Sequence, residues 1–179
     1  GDLARGGPAP GRVARAWRLR VSDAPVDCVD RIQGPQRQQL EQDVGDFVLL
    51  RADGQFAYQL AVVIDDAWQG ITDVVRGADL LDSTPRQIWL QRCLGVATPT
   101  YAHLPVVTDG AGAKLSKQTL APPLQPGRAA WQLVAALDFL GQSPPAGLAR
   151  AAIGEVWQWA LAHWSLATLP RCRGRIFSP

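Results

Sequence analysis

The sequence predicts an α/β fold carrying a small α-helical appendix, and the order of its segments is what leads there. Up to Gln118, stretches with strand character alternate with helical ones; after Gln118 come proline breaks and then only helical apolar spacing. Composition agrees, because 179 residues at 47% hydrophobic and 19% charged supply one ordinary domain, or one domain with an appendix. The expected division is 1–120 and 121–179.

Each element follows from its local pattern. Gly1 to Gly11, rich in Gly and Pro, reads as loop or linker. Trp17, Leu19 and Val21 alternate with Arg18 and Arg20, the period-two pattern of a half-buried strand. Gln36 to Gln42 reads as loop or short helix. Phe47 to Arg51 is a predicted strand, Asp53-Gly54 a turn, and the apolar run Phe56 to Ile64 a buried strand. Gln69-Gly70 turns the chain into a strand over Ile71 to Val75. A helix from Pro85 to Leu94 has Thr84 as its expected N-cap, proline in its first turn, and Gly95 to close it in the left-handed conformation. Tyr101 to Val107 is a strand, Asp109 to Ala113 a flexible loop. Beyond the breaks at Pro122, Pro123 and Pro126, helices are predicted over Arg128 to Leu140 and Ile153 to Trp164, separated by Gly141 and Pro144-Pro145.

Several function classes are disfavoured at once. No apolar run approaches the roughly 20 residues of a membrane span and the first residues do not resemble a signal peptide, so a soluble cytoplasmic protein is expected. Cys28, Cys93 and Cys172 are odd in number and far apart, which fits neither a disulfide framework nor a metal site; no metal is assigned to this chain. His103 and His163 each lack a second ligand at helical spacing and read as structural. Trp157, Trp159 and Trp164 read as appendix core rather than a base-stacking platform. Net charge is only +2, although Arg5, Arg12, Arg15, Arg18 and Arg20 near one end and Arg171, Arg173 and Arg175 near the other would permit contact with a phosphate backbone. The chain contains no methionine, so residue 1 is not expected to be the start of the gene product.

The most specific feature is the distribution of lysine. Only Lys114 and Lys117 occur, against sixteen arginines, and both lie in Lys114-Leu115-Ser116-Lys117-Gln118. An ammonium is a compact mobile charge, suited to gripping and releasing a polyphosphate from a loop. Gly110 and Gly112 do not supply the Walker spacing, so this is not a P-loop.

That pentapeptide resembles the Lys-Met-Ser-Lys-Ser loop of class I aminoacyl-tRNA synthetases, with Leu115 replacing Met and Gln118 the last Ser. The likeness extends through Gly45-Asp46-Phe47, Phe56 to Asp66, Gly70 to Leu80 and Ser83-Thr84-Pro85-Arg86-Gln87, which together resemble the catalytic core of the glutamyl-tRNA synthetase family. Within that family the loop ending in Gln118 is most similar to the short paralogues that act as glutamyl-queuosine tRNA(Asp) synthetases. The resemblance covers about Arg12 to Leu140 and implies a Rossmann-type class I catalytic domain.

The resemblance also implies roles. Tyr58 and Arg76 stand where the family binds glutamate; an arginine can take a carboxylate through two parallel hydrogen bonds, and a tyrosine hydroxyl can hold an amino or carboxyl group. Taken without the family, the favoured readings are a core tyrosine with a satisfied hydroxyl for Tyr58 and a strand-end ion pair for Arg76. Lys117 stands at the lysine that contacts ATP, where an ammonium meets the charge growing on departing pyrophosphate. Lys114 would assist or hold the loop, and Ser116, Leu115 and Gln118 would line the ATP site, Ser116 bonding within the loop or to phosphate. Lys117 and Lys114 are thus the candidate catalytic residues. Asp65 and Asp66, neighbours on a predicted strand, would point to opposite faces and are not read as paired acids.

No motif of the His-Ile-Gly-His type is present, and the family's zinc-binding residues are absent too. The expectation is therefore the C-terminal part of such an enzyme, inactive alone, with zinc held in a missing N-terminal part. The implied reaction is activation of glutamate with ATP and Mg²⁺ followed by transfer to the queuosine base of tRNA(Asp), by an enzyme expected to be monomeric. A truncated glutamyl-tRNA synthetase and a non-catalytic tRNA-binding module are the alternatives.

Overall fold

The computed structural model describes residues 16–116 and 123–177. They form a mixed α/β structure that packs as two compact units. The first holds Val74 and the described residues before it together with Leu80–Ala102; the second holds Val75–Asp79 and the described residues from His103 on. The expected boundary between residues 120 and 121 lies outside the described residues.

In the first unit β1 (Trp17–Leu19) pairs antiparallel with β4 (Phe47–Leu50), and β2 (Val26–Asp30) forms a hairpin with β3 (Gly34–Gln38). The hairpin turns where Asp30 Oδ1 accepts bonds from the Ile32 and Gln33 amides and Gly34 takes a positive φ of 77°. The segment expected as loop or short helix is thus a strand followed by one helical turn, α1 (Leu40–Asp43). Asp30 of β2 also pairs in parallel with Tyr101 of β6 (Thr100–Leu104), and with β5 (Asp73–Gly77) these strands make a sheet of order β3-β2-β6-β5. Val21, Val26, Leu40, Phe47, Val63, Ile88, Leu90 and Tyr101 form the core.

The principal correction concerns Phe56 to Ile64. These residues do not form a strand; they begin α2 (Tyr58–Gln69). Val63 is buried at 2% exposure whereas Ile64 is 44% exposed, and Leu60 and Val63 together face the core at helical spacing. An uninterrupted apolar run carries no period, and the β-branched Val62-Val63-Ile64 preference for strands is overridden by packing against α3 (Thr84–Leu94). Gly70 closes α2 in the left-handed conformation at φ 69°, with the Ile71 amide bonded to the Asp66 carbonyl. Asp65 and Asp66 are therefore helix neighbours, and the opposite-faces argument does not apply to them.

Helix α3 ends at Gly95 as expected, with φ 68°. Its start differs, because a 3-10 helix over Ala78–Ser83 runs directly into it and leaves Thr84 inside the helix. Ser83, at φ −82° and ψ −23°, is already helical, so no extended residue exists to act as a side-chain cap.

In the second unit the strand expected over Tyr101 to Val107 divides at Pro105, which has no amide hydrogen for a continuous ladder. The part after it, β7 (Val106–Thr108), pairs in parallel with β8 (Gly174–Ile176), a strand within what the sequence offered only as a basic cluster. Helices α4 (Ala129–Phe139) and α5 (Ile153–His163) pack through Leu137, Val156 and Ala160, flanked by Leu133, Val134 and Trp159. Trp157 and Trp164 do not join this core: they are 53% and 44% exposed. Trp157 instead lines an open cleft with Ala129, Leu133 and Ala136 of α4. Among the described residues no helix is long and apolar enough to cross a membrane.

Candidate active site

Tyr58 is the first residue of α2, in the first unit, and is half exposed. The next residue, Gln59, ties this helix start to α3. Its amide nitrogen donates to Ser83 Oγ at 3.2 Å, and its oxygen accepts from Gln87 Nε2 at 2.9 Å. Gln87 is 1% exposed and Arg86 also donates to Ser83 Oγ, so the Ser83 to Gln87 segment forms a buried polar brace beneath the helix that carries Tyr58. The Tyr58 side chain is not a core tyrosine.

Arg76 stands near the end of β5 in the second unit. Its Nε donates to Nε2 of His103, on β6, at 2.9 Å, and His103 is fully buried. A guanidinium nitrogen can only donate, so His103 Nε2 is the lone-pair nitrogen and the ring proton sits on Nδ1. Arg76 is thus tied to a neutral buried ring as well as standing at a strand end.

The same segment reaches the lysine loop. One residue after Arg76 comes Gly77, where a Cβ would lie 2.4 Å from Asp79 Oδ1 and 3.1 Å from Val106 Cγ1. Glycine thus leaves room for the Asp79 carboxylate, whose Oδ2 pairs with Lys114 Nζ at 2.5 Å. The side chains of this pair are 50% and 35% exposed. Lys114 also bridges back to Thr108 across the turn 109–113, and the Leu115 amide donates to the Val107 carbonyl at 2.9 Å. The loop expected over Asp109 to Ala113 is closed by hydrogen bonds: Asp109 Oδ1 accepts from the amides of Ala111 and Ala113, and Gly112 takes φ 82°. Leu115 and Ser116 follow directly, whereas Lys117 and Gln118 lie outside the described residues.

In its second unit the structure therefore brings Arg76, Asp79 and Lys114 into one continuous framework, and it adds Asp79, which sequence reasoning passed over, and His103, which it read as structural. Asp79 carried a signal, since a nearly lysine-free chain places an acid three residues after Arg76. His103 carried none, because its partner is 27 positions away. Among the described residues no group of three His, Cys, Asp or Glu could hold a metal ion. A cleft of about 460 Å³, lined by residues including Trp131, Asp138, Phe139 and Arg175, includes none of the sequence-predicted site residues.

Comparison with known proteins decides the family. Residues 15–126 match the catalytic domain of the tRNA synthetases class I (E and Q). The chain belongs to this family. It is 65% identical over 167 residues to a Glutamyl-Q tRNA(Asp) synthetase of Dechloromonas aromatica, covering 93% of this chain and 56% of the relative. Proteins of the same name from Aromatoleum aromaticum and Pseudomonas aeruginosa are 61% and 55% identical, over 93% and 88% of this chain and 53% and 54% of their own length. The glutamate-tRNA synthetase of Elizabethkingia anophelis shares the fold, with a TM-score of 0.66 at 24% identity over 90% of this chain and 36% of that one. The chain thus spans about half the length of the curated relatives it matches. These matches do not support the expectation that it is their C-terminal part.

Proposed function

We propose that this class I synthetase chain takes part in activating glutamate with ATP and in transferring it to the queuosine base of tRNA(Asp). The observation that carries the reading is the framework of Arg76, Asp79 and Lys114, in which a carboxylate-binding cation and the lysine loop are built from one segment. The names and high identity of the matched relatives support the substrate, and the loop ending in Gln118 supports the paralogue over a truncated glutamyl-tRNA synthetase.

Chemistry assigns the contacts. The α-carboxylate of glutamate attacks the α-phosphorus of ATP, so the carboxylate gripped by Arg76 is the side-chain one, which takes no part in bond formation. Arg76, held at Nε by His103, would donate to that group through its guanidinium. Tyr58 would hold the substrate's amino or carboxyl group. Lys117 would meet the charge that develops on pyrophosphate, a contact stronger in the transition state than in the ground state. Lys114, paired with Asp79, would hold the loop, with Leu115, Ser116 and Gln118 lining the nucleotide site. Mg²⁺ would arrive with ATP as part of the substrate, and no zinc role is proposed for residues of this chain. Residues 1–120 would serve catalysis and 121–179 form the helical appendix of a cytoplasmic, monomeric enzyme.

The test is glutamate-dependent ATP–pyrophosphate exchange by the full-length gene product. Arg76→Ala should raise the KM for glutamate far more than it lowers kcat, and Lys117→Ala should do the reverse. Equal losses in both parameters for both variants would contradict the assignments.

A further inference from the structure

We propose that His103 is a positioning residue for glutamate recognition, acting through Arg76; the proposal rests on the reading of Arg76 given above. A buried histidine needs a partner for each ring nitrogen, and here the partner of Nε2 is the candidate substrate-binding guanidinium itself, at 2.9 Å. An arginine side chain turns about several single bonds, and binding must immobilise it. A rigid acceptor at Nε selects one plane for the guanidinium before substrate arrives, which removes that ordering cost from the binding step.

The chemical type of the acceptor matters as much as its place. A carboxylate in the position of His103 would orient the guanidinium equally well, but it would bring a negative charge that competes with the substrate's own carboxylate. The imidazole in this contact uses an uncharged lone pair, so it orients Arg76 without adding a competing anion. Burial of the ring at 0% exposure keeps water from taking its place at Nε.

The experiment uses the full-length gene product with His103→Gln, whose side-chain oxygen can still accept near the position of Nε2, and His103→Leu, which has no acceptor. His103→Leu should raise the KM for glutamate roughly tenfold or more, as for a lost hydrogen bond to a charged group. The KM for ATP and kcat at saturating glutamate should stay within about threefold, and His103→Gln should recover most of the loss. If both variants lower kcat and raise both KM values alike, His103 is a packing residue and the proposal fails. Because a buried substitution can impair folding, ¹⁵N NMR of the unmodified protein supplies a second reading: the His103 ring should carry its proton on Nδ1, and its Nε2 signal should shift in Arg76→Lys. A ring protonated on Nε2, or one indifferent to Arg76→Lys, overturns the contact. Absence of glutamate-dependent exchange in the unmodified protein would instead overturn the glutamate reading, and the role of His103 with it.

Discussion

Replacing Asp79 by asparagine removes the negative charge opposite Lys114 while keeping side-chain size, so it separates the anchoring of the lysine loop from the folding of the unit around it. The pair meets at 2.5 Å, yet its side chains are 50% and 35% exposed. Solvated pairs of this kind contribute about 0.2–1 kcal/mol to stability, so Asp79→Asn should shift the unfolding free energy by less than about 1 kcal/mol. Catalysis should respond more strongly. A loop displaced by about 1 Å loses on the order of 10²-fold in rate, and each tenfold loss corresponds to about 1.4 kcal/mol of transition-state stabilisation. Urea unfolding gives the first quantity, and pyrophosphate exchange by the full-length gene product gives the second. We expect a drop of roughly 10- to 100-fold in exchange, and Lys114→Met combined with Asp79→Asn should be no worse than either change alone. Exchange within twofold of the parent, or losses that add fully in the double variant, would refute the anchoring role.

Further outcomes follow from other contacts. Gly77→Ala would push the Asp79 carboxylate aside, because a Cβ would lie 2.4 Å from its Oδ1, and should reproduce the exchange defect of Asp79→Asn. On α2, Val63→Ala should cost about 1.5–3 kcal/mol in urea unfolding through lost burial and a residual cavity, whereas Ile64→Ala, at a 44% exposed position, should cost under about 0.5 kcal/mol. Hydrogen bonds from Thr100 and Thr72 hold the Asp73 carboxyl below its ordinary range. Since the folded value is the lower one, the stability it contributes is present above the unfolded pKa and is lost as pH falls through the folded value. Thr100→Val should move the Asp73 titration, followed by carboxyl NMR, upward.

How far these elements were legible in the sequence depends on whether their signals are local. Pro85 and Gly95 mark α3 because each acts through its own backbone preference. The run containing Val62, Val63 and Ile64 was read as a strand, because only its packing against α3 distinguishes strand from helix there. Thr84 failed as a cap for a similar reason: the 3-10 turn that precedes it leaves no cap position to fill. At the candidate site, Lys114 and Arg76 stood out through their residue types and the motif around them. Asp79 and His103 acquire meaning only from partners 35 and 27 positions away, a distance no local pattern spans. The exposure of Trp157 was hidden likewise, since a tryptophan on an apolar helix looks inward until the partner helix fixes which face is covered.

Glutamate transfer to queuosine is the activity proposed for this class I chain. It is tested most directly by incubating the full-length gene product with labelled glutamate, ATP and Mg²⁺, and with tRNA(Asp) that either carries or lacks queuosine. Incorporation into the queuosine-containing tRNA(Asp), none into its queuosine-free counterpart or into tRNA(Glu), and strong reduction by Arg76→Ala are the predicted results. Labelling of tRNA(Glu) instead, or of tRNA(Asp) regardless of queuosine, would contradict the account.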